Sequence, residues 1–341
     1  MTTAPTAGRP AGATASAVSP HSAPLPTPTE LSEVKGWFFP DDQMLFDWFL
    51  ARQLDREEPG DLLEVGAYQG KSAIFMGSYL REGDAFTVCD LFDAPAGDTA
   101  NSAEMERSYA TLTRHSFEAN YLSFHDELPE VIQGLSSTVR DRVAASSVRF
   151  AHIDASHLYE HVRGDIETSR GLLHPHGVVA LDDYRSAHCP GVAAAAWGAV
   201  VPGGLHVICL TEHKMYATWG DPAPLREELL AHVAGRDDLW HEVQEVAGAP
   251  LLRIKGRNGG VVAPAQPVSR HPKPAPEPAP EPEPEPVAAP RPAPDPAVRA
   301  PKASTAPKPR RSPLRRFAVN VLPPFITKAV VRIRDTRRTG A

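Results

Sequence analysis

The stretch Leu62-Leu63-Glu64-Val65-Gly66-Ala67-Tyr68-Gln69-Gly70-Lys71-Ser72 changes character twice within eleven residues. It begins as a short apolar run, passes through a turn that opens and closes on glycine, and enters Lys71 to Leu80, which reads as a helix. A strand that runs into a helix through a small-residue turn is half of a βαβ unit. Glycine there lets the backbone approach a ligand closely. Gly66, Ala67, Tyr68, Gly70 and Ser72 are therefore candidate cofactor-binding residues. The spacing is not G-x-G-x-x-G, which argues against a dinucleotide.

The same alternation continues outward. Residues 86–90, 130–133, 148–154 and 178–182 read as further strands. Helices are expected over residues 102–120, 137–143 and 158–173. Residues 206–210, 215–219 and 251–254 complete a sheet edge, and Asp41 to Leu54 reads as an amphipathic helix with Asp41 and Asp42 at its cap. Repeated βα units imply a mostly parallel, doubly wound sheet with helices on both faces. Asp90 closes the second strand 24 residues after Gly66. An acid at that place can accept hydrogen bonds from ribose hydroxyls.

A second constellation lies further along. The fourth strand ends at Asp154, with His157 just beyond, and the fifth ends at Asp182-Asp183-Tyr184. Neighbouring strands lie about 4.8 Å apart, so Asp154 and one or both of Asp182 and Asp183 could share a cation. All-oxygen ligation favours Mg²⁺, with Mn²⁺ or Ca²⁺ as alternatives, over zinc. Consecutive strand residues face opposite ways, so Asp182 and Asp183 both coordinate only if the chain turns there. Such a cation lowers the pKa of a hydroxyl, and His157 is placed to take the proton as general base.

Composition bounds the rest. The chain has 341 residues and a net charge of −7, with no large basic block in its middle, so nucleic acid is not an expected partner. Cys89, Cys189 and Cys209 form no C-x-x-C pair, as expected in a reducing cytosol. Of 36 prolines, 18 lie between Pro264 and Pro313 and six before residue 30. Segments so poor in large apolar residues cannot offset chain entropy. The expected organisation is a disordered leader over 1–30, one catalytic domain over 31–256, a Pro/Ala/Glu linker over 257–313 and a basic amphipathic segment over 314–341. From Lys308 onward ten Lys/Arg face one acid, Asp335. Residues 314–334 could lie at an anionic membrane surface, dock an acidic partner, or remain solvated. No apolar leader and no run of 18 apolar residues is present, so the expectation is a cytoplasmic protein, with peripheral contact at the inner face of a membrane if the tail binds there.

I-D-A-x-H-x-Y-x-x-V-x-x-D, beginning at Ile153, followed by L-L-x-P-x-G-V-V-A-L-D-D-Y and P-G-V, resembles a subfamily of class I methyltransferases. That subfamily includes macrolide-sugar O-methyltransferases and cephalosporin-hydroxylase-like proteins. The resemblance runs from about Gly36 to Trp219. It implies a seven-stranded Rossmann-like sheet, S-adenosylmethionine as donor, Mg²⁺ as cofactor, and a hydroxyl acceptor on a sugar, a lipid-linked glycan or a natural product. It also implies roles for individual residues. Glu64, Gly66 and Gly70 would line the methionine end of the donor, Asp90 its ribose, and Ser136 its adenine. Asp154, Asp182 and Asp183 would hold metal, and His157 would act as base. Metal-using members often carry Glu-Asp where this chain has Asp182-Asp183. A SAM-binding relative with hydroxylase-like chemistry and a non-catalytic scaffold are the alternatives. Gly36-Trp37-Phe38-Phe39-Pro40 could form either a lid over the acceptor or a clasp on the first helix.

Overall fold

Five strands form the parallel heart of the molecule: β1 (Asp61–Val65), β2 (Phe86–Asp90), β3 (Glu130–Gln133), β4 (Val148–Ile153) and β5 (Leu173–Leu181). They belong to one sheet of nine, ordered β3-β2-β1-β4-β5-β7-β6-β9-β8, in a computed structural model that describes residues 25–95, 112–201, 203–257 and 260–272. Strands β6 (His206–Leu210), β7 (Met215–Thr218), β8 (Leu239–Val246) and β9 (Ala249–Gly256) make up the other half. β7 runs antiparallel to both β5 and β6; β9, the strand expected over 251–254, pairs antiparallel with β8, which was not expected.

Strands β1, β4 and β5 are almost wholly buried because helices cover both faces, as the near-continuous apolar runs require. Leu62, Phe86, Phe150 and Val178 face a layer formed by α1 (Pro40–Asp55), α2 (Lys71–Gly77), α3 (Arg114–Leu122) and α6 (Ala223–Ala234). Leu63, Cys89, Ala151 and Val179 face α4 (Tyr159–Leu172) and α5 (Pro190–Val200). The period-two alternation of each strand thus divides the core into two layers. The architecture is a Rossmann-like doubly wound α/β sheet.

Strand order reverses between β1 and β4: the chain steps outward through β2 and β3, then returns to pair with the other side of β1. Ligands settle in the crevice at such a switch point, beyond the carboxyl ends of the strands.

Several expectations shift. Phe39, not Asp41 or Asp42, caps α1, because Pro40 at the first helical position supplies the fixed φ that starts a helix. Asp42 is fully buried. Met44, Leu45, Phe46, Phe49 and Leu50 carry the buried face of α1. The segment 137–143 is a short 3-10 helix, Ser136–Asp141. α3 keeps only the end of the expected 102–120 helix, whose earlier part lies outside the described residues. Residues 260–272 fall in the segment expected to be linker. They pack back on the domain, with Arg270 N donating to Ser123 O (2.8 Å), Ser269 Oγ to Pro28 O (2.6 Å) and Val262 N to Asp238 Oδ2 (2.8 Å). Residues 1–24 and 273–341, including the basic segment 314–341, lie outside the described residues. Among the described residues no helix is long and apolar enough to cross a membrane.

Candidate active site

A cavity of about 820 Å³ opens at the switch point, over the carboxyl ends of β1, β2, β4 and β5. That volume is within the usual range for a small-molecule site, about 300–1,000 Å³.

The turn after β1 forms one wall. Gly66 has φ +84°, and a Cβ there would lie 2.1 Å from the carbonyl oxygen of Asp154, so only glycine lets the β1 and β4 loops close on each other. Asp90 ties this turn down. Its Oδ2 accepts from the backbone N–H of Ala67 (2.7 Å) and Tyr68 (3.0 Å), and its Oδ1 from Phe92 N (2.8 Å). Burial pushes the Asp90 carboxyl above its ordinary value, and these three donors oppose the shift without cancelling it. Asp90 therefore shapes the loop as well as facing the cavity. Ala67, Tyr68, Ser72 and Ser136 share the wall.

Glu64 and Gly70 do not line the cavity. Gly70 (φ +92°) sits at the start of α2, where a Cβ would touch the Phe117 ring at 3.0 Å. Glu64 points through the sheet toward α1 and is fully buried. Period two explains this: Val65 faces one layer, so Glu64 must face the other. Neither residue therefore lies on the wall where the methionine end of a donor was expected.

Glu64 instead ends a buried polar chain. The Oε1 of Glu64 accepts from His152 Nδ1 (2.7 Å), and His152 Nε2 lies 3.0 Å from Lys214 Nζ. Burial and the adjacent ammonium both lower the His152 pKa, so the ring is neutral, donating to Glu64 and accepting from Lys214. Lys214 Nζ lies 2.5 Å from Asp182 Oδ2. Burial would lower the lysine pKa, but Asp182, Asp154 and Asp42 outweigh it and hold the ammonium charged. Burial would raise the Asp182 carboxyl, but Lys214 and His152 hold it below the usual carboxylate range. Asp154 moves the other way: burial and the neighbouring Asp182 charge push it well above its ordinary value.

Lys214, His152 and Asp42 are the residues that sequence reasoning did not place here. The β5–β7 register pairs Leu181 with Met215, so the antiparallel ladder extended by one step sets Lys214 opposite Asp182. An antiparallel register between two distant strands leaves no local trace in the sequence.

The third acid goes elsewhere. Asp183 adopts φ +52°, the turn that the sequence required. Its Oδ1 accepts from Ser186 Oγ (2.5 Å), while its Oδ2 lies 3.4 Å from His157 Nε2 and 3.7 Å from Cys189 Sγ. Two groups of ligand-type atoms result, each within 4.8 Å internally: His152, Asp154 and Asp182 form one, and His157, Asp183, His188 and Cys189 the other. The expected magnesium site joins Asp154 with one or both of Asp182 and Asp183. Here Lys214 Nζ stands against Asp182, and Asp183 belongs to the second group. The donors present do not fit Mg²⁺ at the three acids, because a fixed ammonium already supplies the positive charge.

Asp154, His157, Asp182 and Asp183 all face the cavity that Gly66 and Asp90 bound, so its two ends bring together the loop and the acid–histidine constellation. The aromatic segment divides its labour. Phe38 is buried edge-on against Phe46 and Phe75 as a clasp. Trp37, 65 % exposed and stacked on Tyr68, and Phe39, stacked on His213, line the cavity.

No curated protein matches this sequence. Solved structures with a similar course include the O-methyltransferase NovP (18% identity, 52% of this chain and 79% of that one, TM-score 0.45). They also include CalS11, a TDP-rhamnose 3'-O-methyltransferase of calicheamicin biosynthesis (21%, 53% and 80%, 0.38), and the SAH-bound Podospora anserina methyltransferase PaMTH1 (15%, 64% and 83%, 0.32). A family model described as a methyltransferase domain matches residues 63–184, about a third of the chain. That stretch runs from β1 to the turn after β5 and carries most of the cavity's polar wall.

Proposed function

We propose that this protein transfers a methyl group from S-adenosylmethionine to a hydroxyl of a small-molecule acceptor, in the class of sugars, glycolipids or natural products. One observation carries the reading: a single cavity at the switch point has the Gly66 turn and Asp90 at one end and the His157–Asp183 pair at the other.

The donor, when bound, supplies a methyl carbon on a sulfonium, which needs only an aligned nucleophile. The chain's own residues do the rest. The turn held by Asp90 offers a fixed backbone surface for the donor. His157, oriented by Asp183, stands ready to take the hydroxyl proton as oxygen attacks. Asp154, beside Asp182 on the cavity wall, orients the acceptor. Trp37 and Phe39 give the acceptor an apolar wall suited to a sugar or aromatic face. No step runs through magnesium. A lipid-linked acceptor, reached by membrane contact through residues 314–334 of a cytoplasmic protein, belongs to the same proposal; unchanged flotation of the chain with liposomes after removal of residues 308–341 would remove that part.

The test is calorimetric titration of the full chain with S-adenosylmethionine and S-adenosylhomocysteine, beside Asp90→Asn. Hydrogen bonds to charged groups are worth about 1.5–3 kcal/mol, so the variant should bind about 10- to 150-fold more weakly. Absence of binding by the wild-type chain would overturn the reading.

A further inference from the structure

Two members of the second group, His188 and Cys189, have no part in the proposed methyl transfer. His157 stands in the loop after β4. Asp183, His188 and Cys189 come from one seven-residue stretch after β5. Their donor atoms lie within 4.8 Å of one another. Two nitrogens, a carboxylate and a sulfur are the donor set of borderline-soft cations, whereas magnesium and calcium take oxygen alone.

We infer that His157, Asp183, His188 and Cys189 form a binding site for a zinc-class divalent cation at the mouth of the cavity. The backbone builds the site. Asp183 O accepts from Ser186 N (3.1 Å), and Ser186 O from Cys189 N (3.0 Å), so successive turns fold the stretch back on itself. The amino end of α5 then packs against the His157 loop so closely that a Cβ on Gly191 would sit 2.8 Å from His157 O and 2.8 Å from Tyr159 N. Glycine there is what allows the two ligand-bearing segments to meet.

The spacing already suits the ion. Zinc binds N, O and S at about 2.0–2.3 Å, so tetrahedral partners stand roughly 3.3–3.8 Å apart. Asp183 Oδ2 is 3.4 Å from His157 Nε2 and 3.7 Å from Cys189 Sγ. His188 is exposed, its ring 5.8 Å from that of His157 and nearly perpendicular to it, with a donor nitrogen within 4.8 Å of the other three ligand atoms. Cys189 is the residue that precedes the first turn of α5, where the helix end favours anionic sulfur.

The site shares His157 with the proposed methyl transfer. A cation there holds the imidazole lone pair that a general base uses, so the metal-bound chain is inhibited in transfer.

The experiment binds Co²⁺, as a coloured stand-in for Zn²⁺, to the full reduced chain and records its absorption spectrum. Intense tetrahedral ligand-field bands and a thiolate-to-cobalt charge-transfer band are expected. The charge-transfer band should vanish in Cys189→Ser. Zn²⁺ affinity, measured by competition with a chromogenic chelator, should fall more than about 100-fold in His188→Ala, since loss of even an outer-shell partner costs about 10- to 100-fold. His188 is exposed, so that variant folds. Weak octahedral cobalt bands, or equal zinc affinity in wild type and His188→Ala, would overturn the site. Neither readout depends on methyl transfer, so the two proposals fail separately.

Discussion

Replacing Lys214 by methionine keeps the bulk of the side chain and removes the ammonium 2.5 Å from Asp182. The side chain is 1 % exposed, so water cannot take its place. Breaking a buried pair by deleting one partner costs about 3–5 kcal/mol, because the other charge stays buried and uncompensated. For a domain of this size 1 kcal/mol is about 2–4 °C in Tm, so Tm should fall by roughly 6–20 °C at pH 7. The pH dependence identifies the cause. In wild type Asp182 is held below its unfolded value, so its contribution is present above about pH 4 and lost only in stronger acid. In Lys214→Met the Asp154–Asp182 pair loses its cation and takes up protons more readily than the unfolded chain does. The penalty should therefore be largest near pH 8 and shrink toward pH 5. Urea denaturation at both pH values, with Asp182→Asn and the double variant, gives the cycle. A Lys214→Met loss that is the same at both pH values, or Asp182→Asn costing as much in the Lys214→Met background as in wild type, would refute the argument.

Asp42 offers a second pH test. Burial pushes its carboxyl up to about 7, although Thr211 and Tyr216 hydroxyls donate to Oδ1, and Oδ2 has no partner. A raised acid contributes stability that is full below its unfolded pKa and is lost as pH rises toward 7. About three pKa units correspond to about 4 kcal/mol, so Asp42→Asn should gain about 2–4 kcal/mol on wild type between pH 4 and 8 in denaturant titrations. Gly66→Ala would press a methyl onto Asp154 O from a left-handed backbone, and should lose about 2–4 kcal/mol together with donor binding in calorimetry. Trp37→Ala touches little of the core, so its stability should stay within about 0.5 kcal/mol. Its acceptor KM should rise about 2- to 10-fold as an aromatic contact of about 0.5–1.5 kcal/mol is lost.

The parallel half of the sheet was legible because its strands are apolar runs closed by glycine or acid, a pattern that one residue after another reinforces. The edge strand β8 was not. β8 alternates polar and apolar residues at a sheet edge, and its turn to β9 is Ala247-Gly248, both at positive φ, where asparagine or aspartate would have announced the bend. Within the site, residues at strand ends could be placed by topology alone: Asp90, Asp154, His157, Asp182 and Asp183 all reach the cavity. How they pair could not be read. The carboxylates look alike in sequence, and a lysine from β7's leading end decides which of them is charged. Glu64 shows the complementary limit. Its neighbours mark a ligand loop, but a single step along a strand turns it to the opposite layer.

The strap formed by residues 260–272 has a mechanical consequence. The edge hairpin β8–β9 would by itself be the weakest place to tether anything, since a pull along β9 peels its ladder one bond at a time. Arg270, gripping Asp126 at 2.8 Å and Ser123 O through its backbone, carries the chain's exit across to the end of α3. Load applied through the following residues would first meet this anchor in shear, with several bonds resisting together, and the sheet edge would stay unstressed until it gave way.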